Sequence, residues 1–221
     1  MLSAVLIVLG SYLIGGVPVA YLTGRLLRGI DIREYGSANV GASNVWQKVS
    51  RVAVVPVGLT EIGQGLLGII IAKLADESLA VQVLAGLAAL AGHNWSPYLR
   101  LMGGRGIAHS IGFMLILSWP ALGAFIVLSL LGVALRMVPQ LIGLAVIVAP
   151  VAALAAGQSP EIVWGLAGMA ALIVAKRIVT NRPSLPPDGD ARTVLFNRLL
   201  YDRDTREREA WVQRGRDEPS A

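Results

Sequence analysis

The sequence predicts an all-α membrane protein: seven transmembrane helices, the amino terminus outside, the carboxyl terminus in the cytoplasm, and an amphipathic carboxyl-terminal tail. Three observations carry that expectation. Apolar residues make up 55% of the 221-residue chain and charged residues only 15%, with a mean hydropathy of +0.65; a soluble domain of this length carries charge at nearer a quarter of its positions. The apolar residues come in long runs rather than amphipathic stripes, the pattern of segments solvated by lipid. Seven spans also place every Lys and Arg except Lys73 on one side, and the excess of basic residues marks the cytoplasmic face.

In chain order, Met1 to Thr23 is the first run. It lacks the basic leading segment of a cleavable signal, and Ser11, Tyr12, Gly15, Gly16 and Pro18 interrupt it, so it reads as a retained span. Residues 25–51 are polar. The second span is 52–73, with Glu61 and Gln64 inside it; the third, 79–91, crosses a bilayer only by borrowing from its flanks. Residues 107–117 and 121–135 form the fourth and fifth, divided at Trp119-Pro120. Merging them would put the basic first loop and the basic tail on opposite faces. The sixth and seventh are 139–156 and 162–175.

The chain therefore divides into a seven-span membrane domain, 1–176, and a cytoplasmic basic tail, 177–221. In the tail, Pro183, Pro186, Pro187 and Gly189 form a linker, and Asp190 is placed to cap a helix beginning near Ala191. Leu195, Phe196, Leu199 and Leu200 fall close to one face of that helix, with Trp211 and Val212 beyond. This predicts a surface helix lying on the inner leaflet.

Cysteine is absent, which excludes disulfides and thiolate chemistry. No His, Asp and Glu cluster has ligand spacing, so no metal and no other cofactor is expected. The expected partner is the lipid bilayer, not nucleic acid.

The functional candidates lie in two polar loops on the predicted cytoplasmic face. Gly103-Gly104-Arg105-Gly106 sets a guanidinium among glycines just before a helix start. Glycines let backbone N–H groups converge on an anion, and the helix start adds partial positive charge. The same residues also suit a plain turn between spans. The second loop, Ser37-Ala38-Asn39-Val40-Gly41-Ala42-Ser43-Asn44, offers two hydroxyls and two carboxamides around a glycine. These groups suit phosphate oxygens or a substrate hydroxyl, and equally suit a helix cap with small-residue packing. Glu61 is an ionisable group within an apolar span, either functional or a polar clamp shared with Gln64. His93 opens the glycine-rich stretch, placed to orient a reacting hydroxyl or to bond a carbonyl. His109 reads as a packing or capping residue.

With those residues in view, the chain resembles a known family. Ser11-Tyr12-Leu13-Ile14-Gly15-Gly16-Val17-Pro18 followed by Gly36-Ser37-Ala38-Asn39-Val40-Gly41-Ala42-Ser43-Asn44 is similar to the S-Y-L-I-G-S-I-P and G-S-G-N-x-G-A-T-N of bacterial PlsY-type glycerol-3-phosphate acyltransferases. Gly92-His93 and Gly103 to Ala108 look like that family's G-H and G-G-K-G-V-A. The match is good over roughly residues 4 to 118 and poor beyond.

The resemblance implies acyl transfer from acyl-phosphate to the 1-hydroxyl of glycerol 3-phosphate, giving lysophosphatidate for phospholipid synthesis, in a bacterial inner membrane with the active face cytoplasmic. It implies no metal and no acyl-enzyme. Carried over by position, Ser37, Asn39 and His93 would be catalytic. Ser43, Asn44, Lys48, Gly103, Gly104, Arg105, Gly106, Lys176, Arg177 and Arg182 would bind substrate. The alternative is a non-enzymatic or transport protein of the same fold that binds a phosphate-bearing lipid or metabolite.

Departures from the family pattern carry expectations of their own. Gln47 stands where the family has arginine, and D-x-x-K-G becomes Glu61, Gln64, Gly65. Arg105 replaces a lysine, trading a point cation for a planar fork. The late H-R-x-N-I-x-R becomes Lys176-Arg177-Ile178-Val179-Thr180-Asn181-Arg182, with the histidine lost and the asparagine moved or lost. Two neutral residues at cation positions predict a site poorer in charge, and weak turnover of glycerol 3-phosphate unless Lys48, Lys176 or tail arginines fill in.

Overall fold

The computed structural model describes residues 1–181 and 190–207, all helix, turn and loop. Its helices are α1 (Leu2–Gly16), α2 (Val19–Arg28), α3 (Ala42–Lys48), α4 (Val54–Leu74), α5 (Leu79–Asn94), α6 (Ile107–Leu117), α7 (Trp119–Ala134), α8 (Val138–Ala155), α9 (Pro160–Ile178) and α10 (Ala191–Tyr201). Short 3-10 turns cover Ile32–Glu34 and Pro97–Leu99.

Each predicted span has a helix at its place, and the differences have local causes. The first run is broken at Val17-Pro18, where proline withholds a backbone N–H and its ring crowds the preceding turn. The run then continues to Arg28 and ends on Gly29 in the left-handed region. The third helix extends past Ala91 to take His93 and Asn94 into its last turn. The fourth and fifth are separate helices: the Ser118 hydroxyl accepts from Ala121 N and Pro120 occupies the first turn of α7. The seventh runs through Ile178, so a domain boundary after Lys176 falls inside its final turn.

By length and composition, three stretches are apolar enough to cross a membrane: Leu2–Arg28, Val54–Leu74 and Val138–Ala155. Their outward faces are greasy, as at Leu6, Leu9, Leu59, Ile147 and Val151. With lipid outside, helices associate through close packing of small residues rather than by hydrophobic exclusion. Gly15 and Gly92 do this between α1 and α5, where a Cβ on either would run into the partner backbone at Ala89 or Tyr12. Gly65 and Gly112 do it between α4 and α6, against His109 and Ile62.

The main core gathers Ile69, Leu90, Phe113, Met114, Leu166, Met169 and Ile173. A second cluster, including Ala20, Ile32, Val45, Val57 and Leu99, lies under the first polar loop. That loop is pinned from its start: Arg33 Nη2 lies 2.6 Å from an Asp31 oxygen, and its guanidinium holds the Asp31 carboxyl below the ordinary aspartate range.

The tail helix begins where the cap predicts, with an Asp190 oxygen accepting from Arg192 N at 3.2 Å. It packs on α8 and α9 with Val194 buried, while Leu195, Phe196, Leu199 and Leu200 remain exposed. Arg198 fastens it, donating to Ile178 O at 2.8 Å and to Asp204 Oδ1 at 2.6 Å. Helix α10 is therefore packed against the helices that precede it. Trp211 and Val212 lie outside the described residues.

Candidate active site

A cavity of about 690 Å³ opens between the two polar loops, the α7–α8 turn, α9 and the tail. From the first loop, Ser37, Asn39, Ser43 and Gln47 line it; α4 contributes Glu61 and α5 contributes His93. Arg105, Gly106, Ile107 and Ala108 form the entry to α6. The remaining wall includes Arg136, Arg177, Tyr201, Asp202 and Arg203.

The first loop takes its shape from Asn44. This residue is buried, and its amide nitrogen reaches Ile32 O at 3.0 Å, Tyr35 O at 3.1 Å and Asn39 O at 3.2 Å. It holds the loop and does not line the cavity, although the family pattern had suggested a substrate contact. The chain then turns through two left-handed residues, Gly36 at φ 56° and Ala38 at φ 56°. The Ser37 hydroxyl accepts from Asn39 N at 3.3 Å. Among the described residues no hydrogen bond joins Ser37 to His93, so the serine has no base paired with it there.

The glycine-rich loop splits into two jobs. Gly103 and Gly104 press against His93, and Gly104 N donates to His93 O at 3.0 Å. A Cβ on Gly104 would run into the imidazole and into Val40 O. These two glycines seat the loop on the histidine, whereas Arg105 and Gly106 face the cavity. Gly106, at φ 75°, starts α6, so the partial positive charge of the helix start lies at the cavity wall. The His93 ring also packs against that of fully buried His109, with centroids 4.2 Å apart.

Asn181 joins the two loops. Its amide nitrogen donates to Ala38 O at 2.9 Å and Gly103 O at 2.8 Å, and its oxygen accepts from Lys176 Nζ at 2.9 Å. The sequence signal was present, an asparagine near the expected late motif, but its position gave no hint of this bridging role. Lys176 is spent here, buried with its ammonium 5.7 Å from the centroid of Trp95. It does not line the cavity. Lys48 is also absent from the wall, its stem passing close to Gly36. Neither lysine thus supplies a missing charge, and Arg182 lies outside the described residues.

Gln64 has a different role from the one expected. Its amide nitrogen donates to Ile14 O at 2.9 Å and Val17 O at 3.1 Å, satisfying carbonyls freed at the Pro18 break. A neutral residue there removes no cation from the cavity wall. Gln47 does face the cavity, and there the expected loss of charge applies. Glu61 is buried at the wall, and its Oε1 has no hydrogen-bond partner among the described residues.

Arg136, Arg177 and Arg203 supply the positive charge that the loop motifs did not place. Arg136 sits at the α7–α8 turn and lines the cavity together with Gln47. Arg177 is buried beside Gly143, whose missing side chain leaves room for the guanidinium, and it donates to Leu199 O at 2.9 Å and Pro139 O at 3.0 Å. Arg105 forms an ion pair with Asp202 and also donates to Asp202 O at 2.9 Å. Cations, a helix start, two hydroxyls and a carboxamide lining one cavity suit an anion held beside a hydroxyl-bearing molecule.

The fold and this lining define a helical membrane protein with a polar cavity rich in cations. Residues 5–183 match the model of a protein family described as glycerol-3-phosphate acyltransferase. The chain is 35% identical over 211 residues to glycerol-3-phosphate acyltransferase 4 of Dehalococcoides mccartyi strain CBDB1, covering 92% of this chain and 90% of that one. It is 40% identical over 187 residues to the glycerol-3-phosphate acyltransferase of Synechococcus sp. strain CC9902, covering 82% of this chain and 90% of that one. The crystal structure of PlsY (YgiH), an integral membrane glycerol 3-phosphate acyltransferase in its glycerol 3-phosphate form, superposes with a TM-score of 0.76 at 26% identity, covering 93% of this chain and 96% of that chain. This chain belongs to the glycerol-3-phosphate acyltransferase family. The likeness extends well past residue 118, where the sequence motifs fade.

Proposed function

We propose that this protein transfers an acyl group from acyl-phosphate to the 1-hydroxyl of glycerol 3-phosphate, giving lysophosphatidate. The observation that carries the reading is the convergence of Ser37, Asn39 and His93 with Arg105 and Arg177 on one cavity, in a chain of this family. Arg105, Arg177 and the start of α6 hold phosphate, assisted by Gly106; Ser37, Asn39, Ser43 and His93 orient the acceptor hydroxyl. In the reaction, the acceptor's 1-oxygen bonds to the acyl carbon while the bond from that carbon to the donor's phosphate oxygen breaks. The hydroxyl proton passes to the departing phosphate, so no side-chain base or acyl-enzyme is required. An acyl phosphate is already activated, and positioning with charge neutralisation supplies the catalysis.

The reading includes seven spans, with the amino terminus outside and the cavity at the cytoplasmic face of a bacterial inner membrane. The one-sided distribution of basic residues supports it. Purified protein incubated with acyl-phosphate and labelled glycerol 3-phosphate tests the chemistry directly. Labelled lysophosphatidate is the expected product. Binding of glycerol 3-phosphate without product from acyl-phosphate or other acyl donors would favour the non-enzymatic alternative.

A further inference from the structure

The tail places a carboxylate on the cations that are to hold the substrate's phosphate. Asp202 caps the end of α10 in the left-handed region, at φ 59°, with its N–H donating to Arg198 O at 3.1 Å. From there its carboxylate pairs with Arg105 and lies 3.8 Å from Arg177 Nε, while its backbone carbonyl accepts from Arg105 Nη2. One residue thus engages two nitrogens of the Arg105 fork. A carboxylate and a phosphate compete for such a fork because both present oxygens at matching spacing.

We propose that Asp202 is a built-in occupant of the phosphate subsite, which the substrate's phosphate must displace, so that the tail sets the site's affinity. This rests on the acyltransferase reading for the identity of the substrate. When the cavity holds no substrate, Asp202 keeps two poorly exposed guanidinium groups from standing unpaired, a costly arrangement. Displacement is favoured because a phosphate ester carries about −1.5 to −2 at neutral pH against one charge on the aspartate. The same occupancy discriminates against weaker anions, which do not displace it.

The tail's anchorage does not depend on this carboxylate. Arg198 bonds Asp204 and Ile178 O, Asn197 Nδ2 donates to Asp204 O at 3.1 Å, Arg177 holds Leu199 O, and Val194 is buried. Removing the Asp202 charge therefore leaves α10 docked. Asparagine and glycine both tolerate the left-handed backbone, so Asp202→Asn and Asp202→Gly preserve the cap.

The sign of the effect separates competition from support. If Asp202 competes, both variants bind phosphate more tightly; if it merely orients the arginines, both bind more weakly. The test is calorimetric titration of full-length protein in detergent with inorganic phosphate and, separately, glycerol 3-phosphate, alongside acyltransfer kinetics. The expected result is a dissociation constant lower by about tenfold for both ligands in both variants, with KM for glycerol 3-phosphate falling and kcat not falling with it. Circular dichroism and elution profile check the fold, and either variant that folds is sufficient. Wild-type binding and turnover with unchanged or weaker binding in the variants would overturn this inference alone. No phosphate binding by any of the three proteins would overturn it together with the acyltransferase reading.

Discussion

The two walls of the cavity were built in different ways. The wall carried by the 36–44 and 103–106 loops, with His93 beneath the second, is local: within each short loop the glycines and polar side chains sit close together in the chain. Asn44 bonds carbonyls within twelve residues of itself, and Gly104 bonds a histidine eleven positions earlier. The second wall, made by Arg136, Arg177 and Tyr201–Arg203, is assembled from segments scattered over the carboxyl-terminal part of the chain. The first wall carries polar groups for positioning; the second carries most of the charge. Position is thus encoded in motifs, and charge in the way helices return to one place.

The largest effect tests the one cation that belongs to the motif wall. Arg105→Ala should weaken glycerol 3-phosphate binding about 10- to 100-fold, the loss expected for one charge-assisted phosphate contact of ~1.5–3 kcal/mol. Arg105→Lys should retain much of the affinity, since the charge remains. Calorimetric titration of folded variants decides it; equal binding by wild type and Arg105→Ala would return the loop to a simple turn.

The next variant breaks the seam between the walls. Asn181→Ala leaves Ala38 O, Gly103 O and the Lys176 ammonium without their shared partner. A loss of about 1–3 kcal/mol of stability is expected for such unpaired polar groups, read as a lower midpoint in thermal unfolding. Affinity should drop with it as the loops lose register. Lys176→Ala should act in the same direction but more weakly, because Asn181 keeps both carbonyl bonds. A Lys176→Ala variant that loses phosphate affinity at full stability would contradict the placement of that lysine outside the cavity.

These contrasts also mark what was legible in the sequence. Composition and runs gave the helices and the cap at Asp190, because lipid solvation and capping are local demands; charge placement gave the split near Trp119-Pro120, which the structure puts at Ser118. The loops were legible because glycine and asparagine report special backbone geometry. The sequence did not reveal that Gln64 serves the Pro18 break, that Lys176 is spent on Asn181, or that Arg136 and Asp202 reach the cavity. Each depends on which helices meet, and no spacing along the chain encodes that. The family pattern pointed to Gln47 and Gln64 alike as lost cations; only the packing separates them.

That separation is itself testable. Gln47→Arg adds a guanidinium to the cavity wall and should raise affinity for glycerol 3-phosphate severalfold, roughly the value of one partly exposed charge-assisted contact. Gln64→Lys should leave phosphate affinity unchanged, since the side chain at this position meets α1 carbonyls. Titrating the two single variants separately checks the assignment. A gain from Gln64→Lys equal to that from Gln47→Arg would show that residue 64 reaches the substrate after all.

The smallest effect concerns strain within the motif wall. Ala38 is buried at φ 56°, where the family writes glycine, and its carbonyl is held by Asn181. An alanine Cβ in the left-handed region crowds the adjacent carbonyl, at a cost of about 1–2 kcal/mol relative to the ordinary helical region. Glycine relieves that crowding but gives the unfolded chain more freedom, which offsets part of the gain. Ala38→Gly should therefore raise stability by a net of about 0.5–1 kcal/mol, visible as a small upward shift of the unfolding midpoint. Catalysis should change little, because the loop already holds the required geometry and glycine adopts it readily. A lower midpoint would mean that the buried methyl contributes more by packing than the backbone loses by strain. The alanine would then be the better residue at this turn, with the Asn181 clamp holding a conformation that the side chain disfavours.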